Sequence, residues 1–279
     1  MKLKFIFIVA LSVLLSSVLA AEDNFEKVLE NCKNVTSESL LAEREKKQSA
    51  VILKEKLDNT FLAGAMVAVP GKNYSILKTE VTQELYEFVI GENPSKFKGE
   101  KNLPVENVSW YDTVVFCNKL SVIDGLVPVY SVSGKTNVSE WDYEPHKGNS
   151  ISENIRCNEK ANGYRLPTLE EWQFAAKGGQ EFKYSGSDKL DEVGWYKENS
   201  GHKTHPVAQK KPNGYGLYDM SGNVWEWCWD SGSYSERYFC GGSRYSSADD
   251  CEVGYKYRDD ADGSYYYLVG FRIVRDIDE

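Results

Sequence analysis

Histidine is nearly absent: His146, His202 and His205 are the only three in 279 residues. So few leave little material for a histidine-rich metal centre or for acid–base chemistry poised near neutral pH. Basic residues are outnumbered, 33 Lys and Arg against 42 Asp and Glu, and a net charge of −9 offers no field to draw in a polyanion. Nucleic acid is therefore not an expected partner. No CxxC pair occurs, and six cysteines (Cys32, Cys117, Cys157, Cys228, Cys240, Cys251) fall well short of a disulfide scaffold. They permit bridges or buried free thiols equally. Beyond residue 19 no apolar stretch approaches the roughly 20 residues a bilayer requires. With 41% hydrophobic and 27% charged residues, and 22 Gly without a triplet period, the chain is neither disordered nor collagenous and can bury a core.

Residues 1–20 carry Lys2 and Lys4, an apolar run from Phe5 to Leu15 and small residues up to Ala20. This is the pattern of a signal peptide, cleaved after Ala20 or Ala21, and it predicts an exported protein of the periplasm, the outer surface or the medium. A membrane helix would need a longer run. Residues 21–59 are charged and free of Gly and Pro, with Phe25, Val28, Leu29 and Cys32 at helical spacing. They read as an N-terminal helical segment, either a stalk or a helix packed on the main domain.

Residues 60–279 change character to short β-favouring runs, turn signals and two clear helices. Trp110 to Ser121 follows Ser109 as N-cap and sets Val114, Phe116, Cys117 and Leu120 near one face. Leu169 to Lys177 follows Thr168, has Glu170 and Glu171 in its first turn, and stops at Gly178-Gly179. A loop-rich α+β domain follows, without internal repeats. Trp225, Trp227 and Trp229 alternate with Glu226 and Cys228 in an extended segment and can bury large areas on one face.

Several segments are more specific than composition explains: Glu80-Val81-Thr82, LPVENVSWYDTVVFCNKLS, NGYRLPTLEEWQFAAKGG, THPVAQKKPNGYGLYDMSGNVWEW, GGS at 241–243 and GFRIVR at 270–275. In this order, from about Phe61 to Arg275, they resemble the formylglycine-generating, or sulfatase-modifying factor, family. The resemblance implies a C-type-lectin-like fold of small antiparallel sheets with two main helices. Arg165 and Arg272 read as buried charges that hold loop carbonyls or carboxylates together, a structural role preferred to the alternative, a catalytic one. In the DMSGNVWE turn the resemblance implies structural Ca²⁺ on the Asp219 and Glu226 side chains and the Gly222 and Val224 carbonyls, all hard oxygen donors. The plainer alternative is that Asp219 caps a turn and Glu226 pairs with an arginine. The family's oxidases hold copper on two cysteines beyond GGS, positions that fall here on Ser246 and Cys251. A serine hydroxyl is no thiolate for soft Cu(I), so neither copper nor that catalysis is expected.

The window 244–268, RYSSADDCEVGYKYRDDADGSYYYL, is the least ordinary part of the chain. Six Tyr, five Asp, three Ser and two Gly dominate it, and neither strand alternation nor helical periodicity runs through it. It lacks Asn. Tyr, Ser, Asp and Gly are what an asparagine codon yields when its adenines change, so the window resembles the variable proteins of diversity-generating retroelements. Arg244 stands where an aromatic residue usually follows GGS. Independently of that likeness, tyrosine gives a broad, stiff contact surface, and Ser, Gly and Asp adapt hydrogen bonds around it. The expected ligand-contacting residues are Tyr245, Ser246, Ser247, Asp249, Asp250, Tyr255, Tyr257, Arg258, Asp259, Asp260, Asp262, Gly263, Ser264, Tyr265, Tyr266 and Tyr267, with one or two tyrosines turned inward. The expected partner is a macromolecule, protein or glycan, at a cell surface, bound by a monomer. A formylglycine-type oxidase and a purely structural envelope protein are the rival readings.

Overall fold

The computed structural model describes residues 37–147, 150–152, 154–233, 235–262 and 266–277. The signal segment, the helical pattern at residues 25–32 and Cys32 lie outside them. One compact unit spans Lys54–Glu279. Helix α1 (Ser37–Lys56) lies almost wholly before it, in a separate unit that ends at Leu53, and the unit's own helices are α2 (Gln83–Ile90), α3 (Trp110–Ile123), α4 (Leu169–Lys177) and the single turn α5 (Leu190–Val193). A π-helical stretch, Leu57–Leu62, prolongs α1, and Leu57 is fully buried.

The strands are β1 (Met66–Ala68), β2 (Tyr74–Leu77), β3 (Tyr130–Val132), β4 (Ile155–Cys157), β5 (Tyr164–Arg165), β6 (Trp225–Ser231), β7 (Glu236–Cys240), β8 (Lys256–Asp260), β9 (Val269–Gly270) and β10 (Val274–Asp276). They form a β1-β2-β10-β5 sheet, a β3-β4 pair and a β8-β7-β6-β9 sheet. All pairings are antiparallel except β6 with β9. The α+β expectation holds, with strands so short that side chains must fix the loops.

Both expected helices form where their caps place them. Ser109 with Asp112, and Thr168 with Glu171, close reciprocal capping boxes. Helix α3 runs two residues longer than its pattern, and it is buried nearly all round rather than on one face. Its polar residues are consumed internally: Asn118 donates to the Tyr130 and Thr136 carbonyls at 2.8 and 3.0 Å and accepts from the Tyr130 N–H. Helix α2 is an addition to the expected pair. Thr82 accepts from the Leu85 N–H and Gly91 closes it in a left-handed conformation, signals present in the sequence but attached to only eight residues.

Strand β6 is buried on both faces. Trp225 and Trp227, with half-buried Trp229, join one apolar cluster around α3, while Cys228 faces a second cluster that holds Trp172, Met220 and Cys240. The indoles also donate: Trp227 to the Val108 carbonyl at 3.0 Å and Trp110 to the Cys228 carbonyl at 2.9 Å. Trp227 thereby pins β6 to the loop before α3, and Trp110 pins α3 to β6. Arg165 grips Glu171 through both nitrogens at 2.7 and 2.8 Å and reaches Asp276 at 2.5 Å, joining α4, β5 and the last strand. Cys117, Cys157, Cys228, Cys240 and Cys251 are free thiols.

Candidate functional site

Between Gly241 and Cys251 the chain folds on local polar bonds. The Ser243 N–H donates to Ser246 Oγ at 3.0 Å, the Ser246 N–H returns to the Ser243 carbonyl at 2.9 Å, and the Tyr245 N–H reaches Ser243 Oγ at 3.3 Å. Ser247 donates twice to Asp250 Oδ2, through its N–H at 3.0 Å and its hydroxyl at 2.8 Å. Gly242 is obligatory here: φ is +79°, and a Cβ would lie 2.4 Å from the Cys251 sulfur. This tight turn presents Tyr245 outward, 46% exposed and stacked at 4.9 Å on His202.

The window then forms strand β8, which its composition did not announce. An edge strand is held by backbone pairing to β7 and needs no apolar alternation of its own. The register sets Tyr257 opposite Phe239, with ring centroids 5.6 Å apart. Phe239 rests against Trp225 at 5.3 Å and Trp227 at 5.0 Å, and Trp225 lies 6.1 Å from Tyr255. Two exposed phenols thus stand on a bed of buried aromatic rings. Tyr255 is 36% and Tyr257 51% exposed.

These side chains enclose a cavity of about 240 Å³ lined by Trp225, Phe239, Ser243, Tyr245, Ser246, Asp250, Tyr255, Tyr257, Leu268 and Val269. Five expected residues meet here: Tyr245, Ser246, Asp250, Tyr255 and Tyr257. Ser246 contributes only 7% of its surface, its hydroxyl being committed to Ser243. Trp225, Phe239 and Ser243 are lining residues the sequence did not single out, because only the β6-β7-β8 register brings them beneath the tyrosines. Burial raises the Tyr255 phenol pKa, and the charge of Asp250 and a hydrogen bond to it add to the rise. A larger groove of about 610 Å³, over Val89, Lys119, Val122, Ile123 and Pro128, contains no window residue and no aromatic ring.

The other expected residues lie outside this cavity. Asp249 meets Lys183 at 3.3 Å, Arg258 meets Glu236 at 3.5 Å, and Asp260 accepts from Ser235 at 2.8 Å. Ser247 is exposed but bound to Asp250, and half-buried Asp259 lies opposite Arg237 across the β7-β8 ladder. Asp262 lines a separate polar cavity of about 250 Å³ with Arg237, Tyr111 and Ser235. Tyr267 is half-buried, the inward-turned member. Gly263, Ser264, Tyr265 and the side chain of Tyr266 lie outside the described residues.

Arg244 is not a surface residue at all. It is fully buried, its guanidinium 4.5 Å from the Phe97 ring, 5.4 Å from Tyr245 and 5.8 Å from Tyr267, and it donates to the Tyr267 carbonyl at 2.7 Å. A planar cation here does the stacking of an aromatic ring. It ties both ends of the window to Phe97. Its charge faces Glu106, also fully buried, whose Oε1 accepts from the Phe97 N–H at 2.8 Å. Burial pushes the Glu106 carboxyl from its usual 4.5 up to about 6, against the opposing pull of that N–H and of Arg244. A raised folded pKa stabilises the fold fully below the unfolded value, a contribution lost as pH rises through the folded one. Wild type is therefore expected to lose on the order of 2 kcal/mol relative to Glu106→Gln between pH 4.5 and about 6.5, measured by urea unfolding across that range.

The side chains expected to hold calcium already have partners. Arg272 donates to Glu226 through Nε at 2.5 Å and Nη2 at 2.6 Å, and the Trp172 indole donates at 2.7 Å. Arg272 also holds the Leu77 and Tyr218 carbonyls at 3.1 and 2.9 Å. Both Glu226 oxygens are spent and its charge is neutralised, so the Asp219, Gly222, Val224 and Glu226 set does not fit Ca²⁺. Asp219 accepts from the Ala208 N–H at 2.7 Å and adopts a left-handed φ of 58° in its turn. At the oxidase positions the Ser246 hydroxyl is bound to Ser243, and Cys251 is buried, which pushes its thiol pKa well up and away from the thiolate copper needs.

Among the described residues no helix is long and apolar enough to cross a membrane. Residues 42–277 match the sulfatase-modifying factor enzyme 1-like domain. The solved structure of Treponema denticola variable protein 1 superposes with a TM-score of 0.65 and 36% identity, covering 76% of this chain and 91% of that one. Chaperone protein LppX of Paenibacillus barcinonensis is 42% identical over 68% of this chain and 76% of its own length. Inactive C-alpha-formylglycine-generating enzyme 2 of Bos taurus is 36% identical, over 37% of this chain and 35% of that protein. On fold, motif order and extent of match, the chain belongs to the sulfatase-modifying factor family.

Proposed function

We propose that this chain is an exported, non-catalytic binding protein whose window 244–268 contacts a macromolecular ligand at a cell surface. One observation carries the reading: Tyr245, Tyr255 and Tyr257 stand exposed around a 240 Å³ cavity, Tyr255 and Tyr257 on the buried rings of Trp225 and Phe239 and Tyr245 stacked on His202. Exposed rings fixed from below lose little conformational entropy on binding. Folding does not require them. The similarity to a treponemal variable protein supports a window whose residues vary by retroelement copying, and a relative named as a chaperone supports a binding role. Relatives that include an inactive formylglycine-generating enzyme support binding without chemistry, as do Ser246 and the buried Cys251.

Binding of the purified protein to host and bacterial surface extracts, compared with a Tyr245→Ala, Tyr255→Ala, Tyr257→Ala variant, tests the reading. A loss of tenfold or more is expected, since each central tyrosine contributes about 1–2 kcal/mol at a well-packed interface. Equal binding by the variant would end the proposal. Genes from sibling isolates should differ mainly within codons 244–268, at former adenines.

A further inference from the structure

The lining of the 240 Å³ cavity is one-sided in its chemistry. Four aromatic residues outside the turn, Trp225, Phe239, Tyr255 and Tyr257, and a fifth within it, Tyr245, line the cavity with one carboxylate, Asp250, and among the described residues the lining includes no cationic side chain. The two serine hydroxyls are paired with each other, Ser243 Oγ to Ser246 Oγ at 3.3 Å. Asp250 is oriented by Ser247 and Tyr255, so its charge is fixed at the cavity rather than free to swing into solvent.

Strand alternation turns the cations of β8 away from the cavity face. Tyr257 pairs with Phe239, whereas Lys256 and Arg258 pair with Cys240 and Tyr238 and so project to the other side. Lys256 lies 5.0 Å over the Tyr238 ring and Arg258 meets Glu236. Arg244 is outside the lining, with Glu106 offsetting its charge.

Resting on the binding reading above, we propose that this cavity receives a cationic side chain, the alkylammonium or guanidinium group of a lysine or arginine on a protein ligand. Ring faces attract a cation through their quadrupoles, and a fixed carboxylate supplies the counter-charge. The alkyl stem packs against Leu268 and Val269 in the lining. A sugar would ask for several uncommitted donors and acceptors, and here the serines are spent on one another and Tyr255 and Ser247 on Asp250, so that the phenol hydroxyls of Tyr245 and Tyr257 remain for it. The cavity is large enough for one such chain end and too small for a folded segment.

The test uses the full mature chain with its tyrosines labelled with ¹³C, titrated at fixed ionic strength with n-butylammonium chloride, n-butylguanidinium chloride, n-butanol and methyl glycosides. Saturable shifts of the Tyr255 and Tyr257 ring signals by either cation, at least tenfold tighter than by butanol, support the proposal. Asp250→Asn, which keeps an acceptor for Ser247, should weaken the cations at least fivefold and leave butanol unchanged. Should that variant misfold, Tyr257→Leu must show the same selective loss. Equal affinity for butanol, or shifts with glycosides alone, overturns it. Surface-extract binding, measured in parallel, separates the two ideas: if the tyrosine variant still loses surface binding while the cations fail, only the cationic occupant is wrong, and if neither responds the binding reading falls with it.

Discussion

Arg272→Met is expected to cost about 3–5 kcal/mol of folding stability, because the change strands the Glu226 carboxylate in a site from which both residues are fully excluded from water. Arg272 is the centre of a buried network that joins four segments: Glu226 on β6, the Leu77 carbonyl on β2, the Tyr218 carbonyl in the loop before β6, and, through Glu226, the Trp172 indole on α4. Burial favours the neutral forms of such groups, yet the attraction of Glu226, Glu80 and Asp219 raises the Arg272 pKa, and the guanidinium stays charged. Glu80, also fully buried, accepts from the Asn223 side chain at 2.7 Å and the Val224 N–H at 3.0 Å, and burial beside Asp219 and Glu226 raises its carboxyl well above the usual range. Removing the one cation leaves three carboxylates crowded together. Guanidinium chloride unfolding should therefore show the full loss for Arg272→Met and a smaller one for Arg272→Met with Glu226→Gln, which cancels the stranded charge while keeping an acceptor for Trp172. A single-variant loss under about 1 kcal/mol would mean that the network is dispensable.

Gly222→Ala should be comparably severe, about 4 kcal/mol or more, at the upper end of what single substitutions do. Two independent costs meet at this position. Its φ is +100°, a conformation that side-chain-bearing residues rarely adopt, and a Cβ would stand 2.3 Å from the Trp195 carbonyl oxygen and 2.9 Å from the Trp195 nitrogen. Backbone cannot rotate away as a side chain can. The same approach lets Asn223 N–H bond the Trp195 carbonyl at 2.7 Å and Gly222 N–H bond the Gly241 carbonyl at 2.7 Å, so the turn holds both the 195 loop and the GGS segment in place. A melting temperature lower by roughly 10 °C is expected, at about 2–4 °C per kcal/mol for a domain of this size. Gly254→Ala, where a Cβ meets nothing within 4 Å, serves as the control and should melt with the wild type.

Helices α3 and α4 were legible because each carries its own boundary chemistry, a capping box at one end and, for α4, a glycine at the other. Helix α2 carries similar signals at Thr82 and Gly91, but eight residues give too few repeats for a period to stand out. The tryptophan segment read correctly as a strand with its indoles on one face. That its other face is also buried followed only from the partner it meets, α4 with Trp172. Arg272 was foreseeable as a buried charge, Arg165 is only partly buried with 13% of its side chain exposed, and Glu226 pairs with Arg272, the plainer of its two readings. Strand β8 was hidden for a physical reason: an edge strand is stabilised by main-chain bonds that any residue but proline can make, so Lys-Tyr-Arg-Asp-Asp carries no apolar mark of it.

Composition and motif order determined by themselves the family, the α+β class and the oddity of the window, because each is a property of residue identity along one dimension. The sequence also placed tyrosine in that window, a residue whose chemistry suits contact. Which tyrosines converge was decided only by the tertiary structure. The pairing of β7 with β8 brings Tyr257 onto Phe239, the turn over Cys251 points Tyr245 outward, and Arg244, adjacent in sequence, is carried inward to Phe97. Neighbours in the chain part company and distant residues meet because strand register and backbone close approach, which no local spacing encodes, set the direction of every side chain.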